Sequence, residues 1–283
     1  MTLPIVLIHR GDDTYLSYSL RQAEVSNPEA SVFLLGTAIN QHFASDGITH
    51  VMIHSYMQSA SAFAPIYKHM HIMPLSYNLF CFQRWFVLRD FMRDNQIQAC
   101  CYIDSDVMLY ENVNNPIYHD FKMEFVWTNF VSLDLLDRFC AFTTTYFANT
   151  MLYGQLVQET KQLGHLSNNL PLVSDMVVGL LFLRQFPQYT YTHGRYDDRM
   201  FDENINRPIW AESLEGKRKV YLNDGQLYTK DVASKAYIRL NSLHFQGTVM
   251  KDFMSFFFTP HLSKKGSFYF DYQTRLWMPT VLT

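Results

Sequence analysis

Short apolar runs alternate with stretches whose apolar positions recur every three or four residues, and this alternation organises the first third of the chain. Residues 4–8 are a continuous apolar run, residues 15–25 an amphipathic pattern closed by Asn27-Pro28, and residues 31–35 a second run that stops at Gly36. Runs bounded by turn residues predict strands, and a helical period predicts a helix between them. The strand signal returns at 50–54, residues 78–93 carry Phe82, Phe86, Leu88 and Phe91 at helical spacing, and 99–107 is apolar again. Such alternation predicts an α/β fold: a mostly parallel central sheet flanked by helices, with ligands gathering beyond the carboxyl ends of the strands.

After Tyr110 the pattern changes. Residues 124–129 predict a strand, 142–163 a long helix, and 174–186 an apolar helix capped by Ser174. Short strands are predicted at 219–222, 227–229 and 236–245, around the turn signal Asn223-Asp224-Gly225. With no repeat, low-complexity tract or linker, residues 1–283 are expected to form one domain, with 1–110 and 111–283 as its two halves.

A chain of 283 residues is long enough to bury a substantial core. Its formal charge of -3 gives no basic surplus for a phosphate backbone, so nucleic acid is not an expected partner. Cys81, Cys100, Cys101 and Cys140 lack metal-ligand spacing and are expected to be reduced and buried. The first nine residues enter a strand without a signal-peptide pattern, and no run approaches the ~20 apolar residues that span a bilayer. The expectation is a cytoplasmic protein, with peripheral attachment at a membrane left open. The aromatic segment 250–258 bears on this: it predicts either a helix closing the core or an exposed patch that docks on a membrane or an acceptor-bearing partner.

The most chemical position is Asp104-Ser105-Asp106, at the end of the apolar run that starts at Ala99. Strand alternation would turn both aspartates to one face and Ser105 to the other. Two carboxylates on one face call for a cation, and magnesium or manganese is the usual partner where phosphate oxygens complete the coordination. His9-Arg10-Gly11-Asp12-Asp13 also lies at the end of a predicted strand and could line the same cleft. Asp175 stands at a predicted helix start, and Asp197-Asp198 and Asp202-Glu203-Asn204 fit a solvated loop.

These residues resemble the nucleotide-sugar glycosyltransferases of the GT-A fold, most similarly glycosyltransferase family 8, the lipopolysaccharide galactosyl- and glucosyltransferases. Asp104-Ser105-Asp106 matches the family's Asp-x-Asp, which binds manganese between the donor's phosphates. Asp12-Asp13-Thr14-Tyr15 stands where the family holds uracil, which implies that Tyr15 stacks the base, with His9, Gly11 and Asp12 beside the nucleotide. Arg84 stands at the place of the arginine that contacts donor sugar and phosphate. His244-Phe245-Gln246-Gly247, followed by Lys251, matches the segment that supplies a third metal ligand and a pyrophosphate-binding lysine. Lys251 lies one residue further from Gly247 than in the family, and the family's Asp-Gln-Asp reads Val173-Ser174-Asp175 here.

The resemblance implies a Rossmann-like sheet with a nucleotide-sugar half at 1–110 and an acceptor side at 111–283. It implies a Mn²⁺- or Mg²⁺-dependent hexosyltransferase that uses a UDP-sugar donor and a glycan, lipid-linked or protein-linked acceptor, with retention favoured over inversion. Asp104, Asp106, Asp175 and Arg84 would act in catalysis, Asp104, Asp106 and His244 would hold the metal, and Ser105, Gly247 and Lys251 would join the donor site. Two alternatives stay open. A haloacid dehalogenase-type phosphohydrolase also carries Asp-x-Asp, on its first strand, and a non-catalytic scaffold could bind a nucleotide sugar or glycan without turning it over.

Overall fold

The computed structural model describes residues 2–118, 127–189, 195–196, 198–202, 204–262 and 265–282. The first three residues of the strand predicted at 124–129, together with Asp197 and Glu203, lie outside the described residues. The chain opens with β1 (Ile5–Ile8), α1 (Leu16–Ser26), β2 (Val32–Gly36), β3 (Ile48–Met52), α2 (Gln58–Phe63), α3 (Leu75–Asp94), β4 (Ala99–Ile103), β5 (Val107–Leu109) and β6 (Thr128–Ser132). The central sheet has the order β3-β2-β1-β4-β6, with the first four strands parallel and β6 antiparallel. The fold is therefore α/β with a mostly parallel central sheet, as the alternation of strand and helix signals predicts.

β1 is apolar throughout because it is covered on both faces. Val6 and Ile8 join a cluster with Phe82, Trp85, Phe86 and Phe139. Ile5 and Leu7 join another with Leu16, Leu20, Cys101 and Ile103. The adjacent cysteines are split the same way, Cys100 to the first face and Cys101 to the second. Cys100, Cys101 and Cys140 are buried, Cys81 is half-buried, and all four are free.

The next part contains α4 (Leu133–Ala148), α5 (Thr150–Gln162), a hairpin of β7 (Leu166–Ser167) and β8 (Leu170–Pro171), and α6 (Asp175–Gln185). The single helix predicted at 142–163 is two helices. Asn149 leaves the helical conformation between them, and its side-chain oxygen accepts the Met151 and Leu152 amides, which starts α5 afresh. Ser174 caps α6 as expected, accepting the Val177 amide.

The remaining strands are β9 (Arg195–Tyr196), β10 (Arg199–Phe201), β11 (Ser213–Leu214), β12 (Lys217–Arg218), β13 (Tyr221–Asn223), β14 (Gln226–Lys230), β15 (Tyr237–His244), β16 (Ser267–Asp271) and β17 (Leu276–Pro279). The second sheet has the order β17-β16-β13-β14-β15-β10-β9, and β5 pairs with β15. Positive φ at Asp224 and Gly225 makes the tight turn between β13 and β14. The aromatic segment 250–258 is broken into α7 (Thr248–Lys251) and a 3-10 turn, Met254–Phe257. Met250, Phe253, Met254, Phe257 and Phe258 are buried. Of the two readings of this segment, its burial favours the one that closes the core. Among the described residues no helix is long and apolar enough to cross a membrane.

Asp202, expected in a solvated loop, is fully buried. One oxygen accepts from Arg218 Nε at 2.9 Å and the other from the His244 amide at 3.2 Å. Removing one partner of such a pair strands the other's charge in the interior. Asp202→Ala should therefore lower unfolding stability by about 3–5 kcal/mol, measured by denaturant titration, with a smaller loss for Asp202→Asn, which keeps an oxygen for His244.

Candidate functional site

The chain proceeds outward from β1 through β2 to β3, then returns to place β4 on the other side of β1. That reversal leaves a crevice beyond the carboxyl ends of β1 and β4, where ligands bind in open α/β sheets. Two segments meet there. His9 follows β1, Asp104 follows β4, and His9 Nδ1 lies 3.0 Å from Ser105 Oγ. Three strands precede the aspartates, so they do not occupy the first-strand position of a haloacid dehalogenase-type enzyme.

The aspartates are not on a strand. β4 ends at Ile103, and Asp104-Ser105-Asp106 form a turn closed by the Val107 amide donating to the Asp104 carbonyl at 3.0 Å. Strand alternation is therefore not what orients them. β5 then runs antiparallel to the end of β15, pairing Val107 with His244, and the Phe245 amide donates to the Asp106 carbonyl at 2.9 Å. This register delivers His244 to the aspartates, and one ligand atom from each of Asp104, Asp106 and His244 lies within 4.8 Å of the others. A six-coordinate ion with bonds of ~2.1 Å spans ~4.2 Å between opposite ligands. Two carboxylates and an imidazole at this spacing could hold manganese or magnesium with positions to spare.

Cations flank the cluster on both sides. Arg84, on α3, places Nη1 2.5 Å from Asp104 and Nη2 2.9 Å from Asp175. Trp85 Nε1 also donates to Asp175, at 2.9 Å. On the other side Lys251 Nζ lies 3.3 Å from Asp106, donates to the Tyr15 hydroxyl at 3.3 Å, and stands 4.5 Å over the Tyr15 ring. His244 Nε2 lies 3.4 Å from Asp106.

Burial raises the Asp104 carboxyl above its ordinary range, opposed by Arg84 and assisted by repulsion from Asp106. Burial works in the same direction on Asp106, but His244 and Lys251 outweigh it and hold that carboxyl below its ordinary range. Burial alone would weaken the charges of Arg84 and Lys251. Asp104, Tyr102 and Asp175 reverse this for the arginine, and Asp106 and Tyr15 for the lysine, so both hold their protons more tightly than usual. Burial lowers His9 and raises Tyr15.

The structure thus brings His9, Tyr15, Arg84, Asp104, Ser105, Asp106, Asp175, His244 and Lys251 into one connected set. Gly247 supplies a turn at φ 96° between β15 and α7, which returns the chain so that Lys251 reaches Asp106. Asp12 is not drawn into the cluster: it is exposed and lies 3.2 Å from His42. Gly11 gives room within the first loop, where a Cβ would come 2.5 Å from Asp13 Oδ2 and 3.0 Å from His9 Nε2. Arg10 lies over the Phe80 ring at 3.6 Å.

Two contributors were not singled out from the sequence. Trp127 stacks on His244 with ring centroids 5.5 Å apart and planes at 16°. Tyr102 approaches Arg84 through its hydroxyl at 3.3 Å. The second had a signal in its position on β4, two residues before the turn that carries Asp104. The first had none, because pairing across β4 and β6 brings it in.

No family model and no curated protein matches the chain. Among solved structures it is similar to mouse xyloside xylosyltransferase 1 in its apo form, at 7% identity over 71% of this chain and 88% of that one, with a TM-score of 0.49. It is also similar to an active-site mutant of LgtC, at 11% identity over 87% of this chain and 88% of that one, TM-score 0.44. The glycosyltransferase GlyE of Streptococcus pneumoniae follows at 12% identity over 64% and 44%, TM-score 0.32. All three scores are below 0.5.

Manganese titration followed by electron paramagnetic resonance should give weaker binding for Asp104→Asn, Asp106→Asn and His244→Ala, each by more than about tenfold. A proton competes with the ion for Asp104, whose pKa is raised. Affinity in the parent chain should therefore fall on acidification at a higher pH than an ordinary aspartate would set.

Proposed function

We propose that this protein is a metal-dependent glycosyltransferase of the GT-A type. It moves a sugar from a nucleoside diphosphate, a uridine one, to a hydroxyl of a glycan, lipid-linked or protein-linked acceptor. The observation that carries this reading is the convergence of Asp104, Asp106 and His244 at the switch point of the sheet, with Arg84 and Lys251 on either side.

The donor set suits manganese or magnesium, held by the two carboxylates and the imidazole. Such an ion supplies neutralisation of the charge that builds on the departing diphosphate. Lys251 adds a second positive charge to the same leaving group. Its contacts to Asp106 and Tyr15 are both 3.3 Å, long enough for the ammonium to exchange one for a phosphate oxygen. Arg84 has a positioning part beside the donor contact that the resemblance implies. Each of its terminal nitrogens donates to a carboxylate, which holds Asp104 in place, while Trp85 Nε1 holds the Asp175 end of the bridge. His9 and Tyr15 form the nucleoside side, with Ser105 tied to His9.

Retention of the anomeric configuration is the favoured outcome. An inverting reaction needs a carboxylate that takes the proton of the acceptor hydroxyl. Asp175 is buried and receives hydrogen bonds from both Arg84 and Trp85, and Asp202 is sealed against Arg218. Both are committed to holding other groups.

The deciding experiment is a screen of nucleotide sugars for manganese-dependent release of the nucleoside diphosphate, with water replacing the acceptor. Release of UDP from at least one UDP-sugar is expected, with a loss of about 10²-fold or more in Asp106→Asn. Absence of both release and UDP binding at about millimolar ligand, a range where even weak complexes are detected, would overturn the reading. Once an acceptor is known, proton coupling at the product's anomeric carbon reads out retention.

A further inference from the structure

The loop after β1 is shaped by a buried amide from the neighbouring strand's exit. Asn40 is fully buried, and its Nδ2 donates to the carbonyls of His9 at 2.9 Å and Gly11 at 3.0 Å. Its Oδ1 accepts the Thr37 amide at 2.9 Å and lies 3.0 Å from His50 Nε2. A primary amide has two donors and two acceptor positions, so Asn40 is used to capacity. The carbonyl between the two, that of Arg10, is taken by the Thr37 hydroxyl at 3.0 Å. Three consecutive carbonyls of the loop are therefore engaged by the segment that follows β2.

Gly36, the last residue of β2, is what makes room for this. A Cβ there would collide with the Asn40 side-chain oxygen and with His50 Nε2. The electrostatic result matters for an anionic ligand. Carbonyl oxygens are the negative ends of peptide dipoles, and a loop that presented them to the crevice would repel a diphosphate. With those oxygens occupied by Asn40 and Thr37, the loop instead carries His9 to Ser105, between the two aspartates.

We propose that Asn40 and Thr37 are positioning residues for nucleoside diphosphate binding, holding His9-Arg10-Gly11 in the conformation that the donor meets. This rests on the donor-site reading above. Neither residue touches the metal-ligand candidates, so the proposal separates nucleotide affinity from metal affinity.

The full chain is titrated with UDP in the presence of Mn²⁺, and with Mn²⁺ alone. Thr37→Val and Asn40→Asp should each weaken UDP binding by about tenfold, leave the affinity for Mn²⁺ alone unchanged, and Thr37→Ser should restore the parental UDP affinity. Asn40→Asp sets a carboxylate oxygen against the His9 and Gly11 carbonyls. If that variant fails to fold, the valine and serine pair at position 37 decides alone. Unchanged UDP affinity in Thr37→Val overturns the proposal, and so does an equal loss of Mn²⁺ affinity, which would mark a general structural defect. A parent chain that binds Mn²⁺ but no UDP overturns the donor-site reading itself, and the positioning role with it.

Discussion

Three residues of backbone pairing hold this site together. β5 is only Val107–Leu109, yet its antiparallel register with the end of β15 sets His244 opposite Val107 and ties Phe245 to Asp106. Because side chains alternate along a strand, a slip of one residue would turn His244 to the other face and leave the aspartates without their imidazole. The register is protected from below. Asp202 accepts the His244 amide and is itself locked by buried Arg218, so the histidine's backbone cannot drift without costing a buried carboxylate one of its hydrogen bonds.

The same crevice gathers three carboxylates, and each is compensated differently. Asp104 and Asp175 share one arginine, which is almost wholly enclosed and whose two terminal nitrogens are both engaged. Asp106 is matched by His244 and by Lys251, the more exposed of the two flanking cations. The result is a fixed side and an exchangeable side. Arg84 sets geometry, while Lys251 has a long contact to a carboxylate and another to a tyrosine hydroxyl, and can change partners at small cost.

The sequence made the parallel sheet legible because β1, β2 and β4 are short apolar runs buried on both faces, a pattern that local periodicity detects. Asp104 and Asp106 stood out for the same reason, as charges interrupting such a run. A turn rather than strand alternation orients them, a local geometry that apolar periodicity does not show. The break at Asn149 was hidden because apolar spacing continues through it, and only the side-chain cap reveals where one helix ends. Asp202 looked solvated beside other acids. Its burial depends on Arg218, a partner that sequence spacing does not announce. Asn40 was invisible as well, because its four partners lie on three separate segments.

The distribution of countercharges along the chain has a consequence for how the protein is made. Arg84 precedes Asp104 and belongs to the same sheet-building half, so that carboxylate has its partner as soon as α3 packs on β4. The cations of Asp106 come from β15 and α7, close to the carboxyl end of the sequence. In chain order, all five strands of the central sheet come before the segments that bring His244 and Lys251 to Asp106. The central sheet can form early, but the crevice acquires its balance of charge only when the last strands of the second sheet are added. Completing the site therefore depends on pairing between distant parts of the chain, a slower kind of contact than those within the sheet's own half.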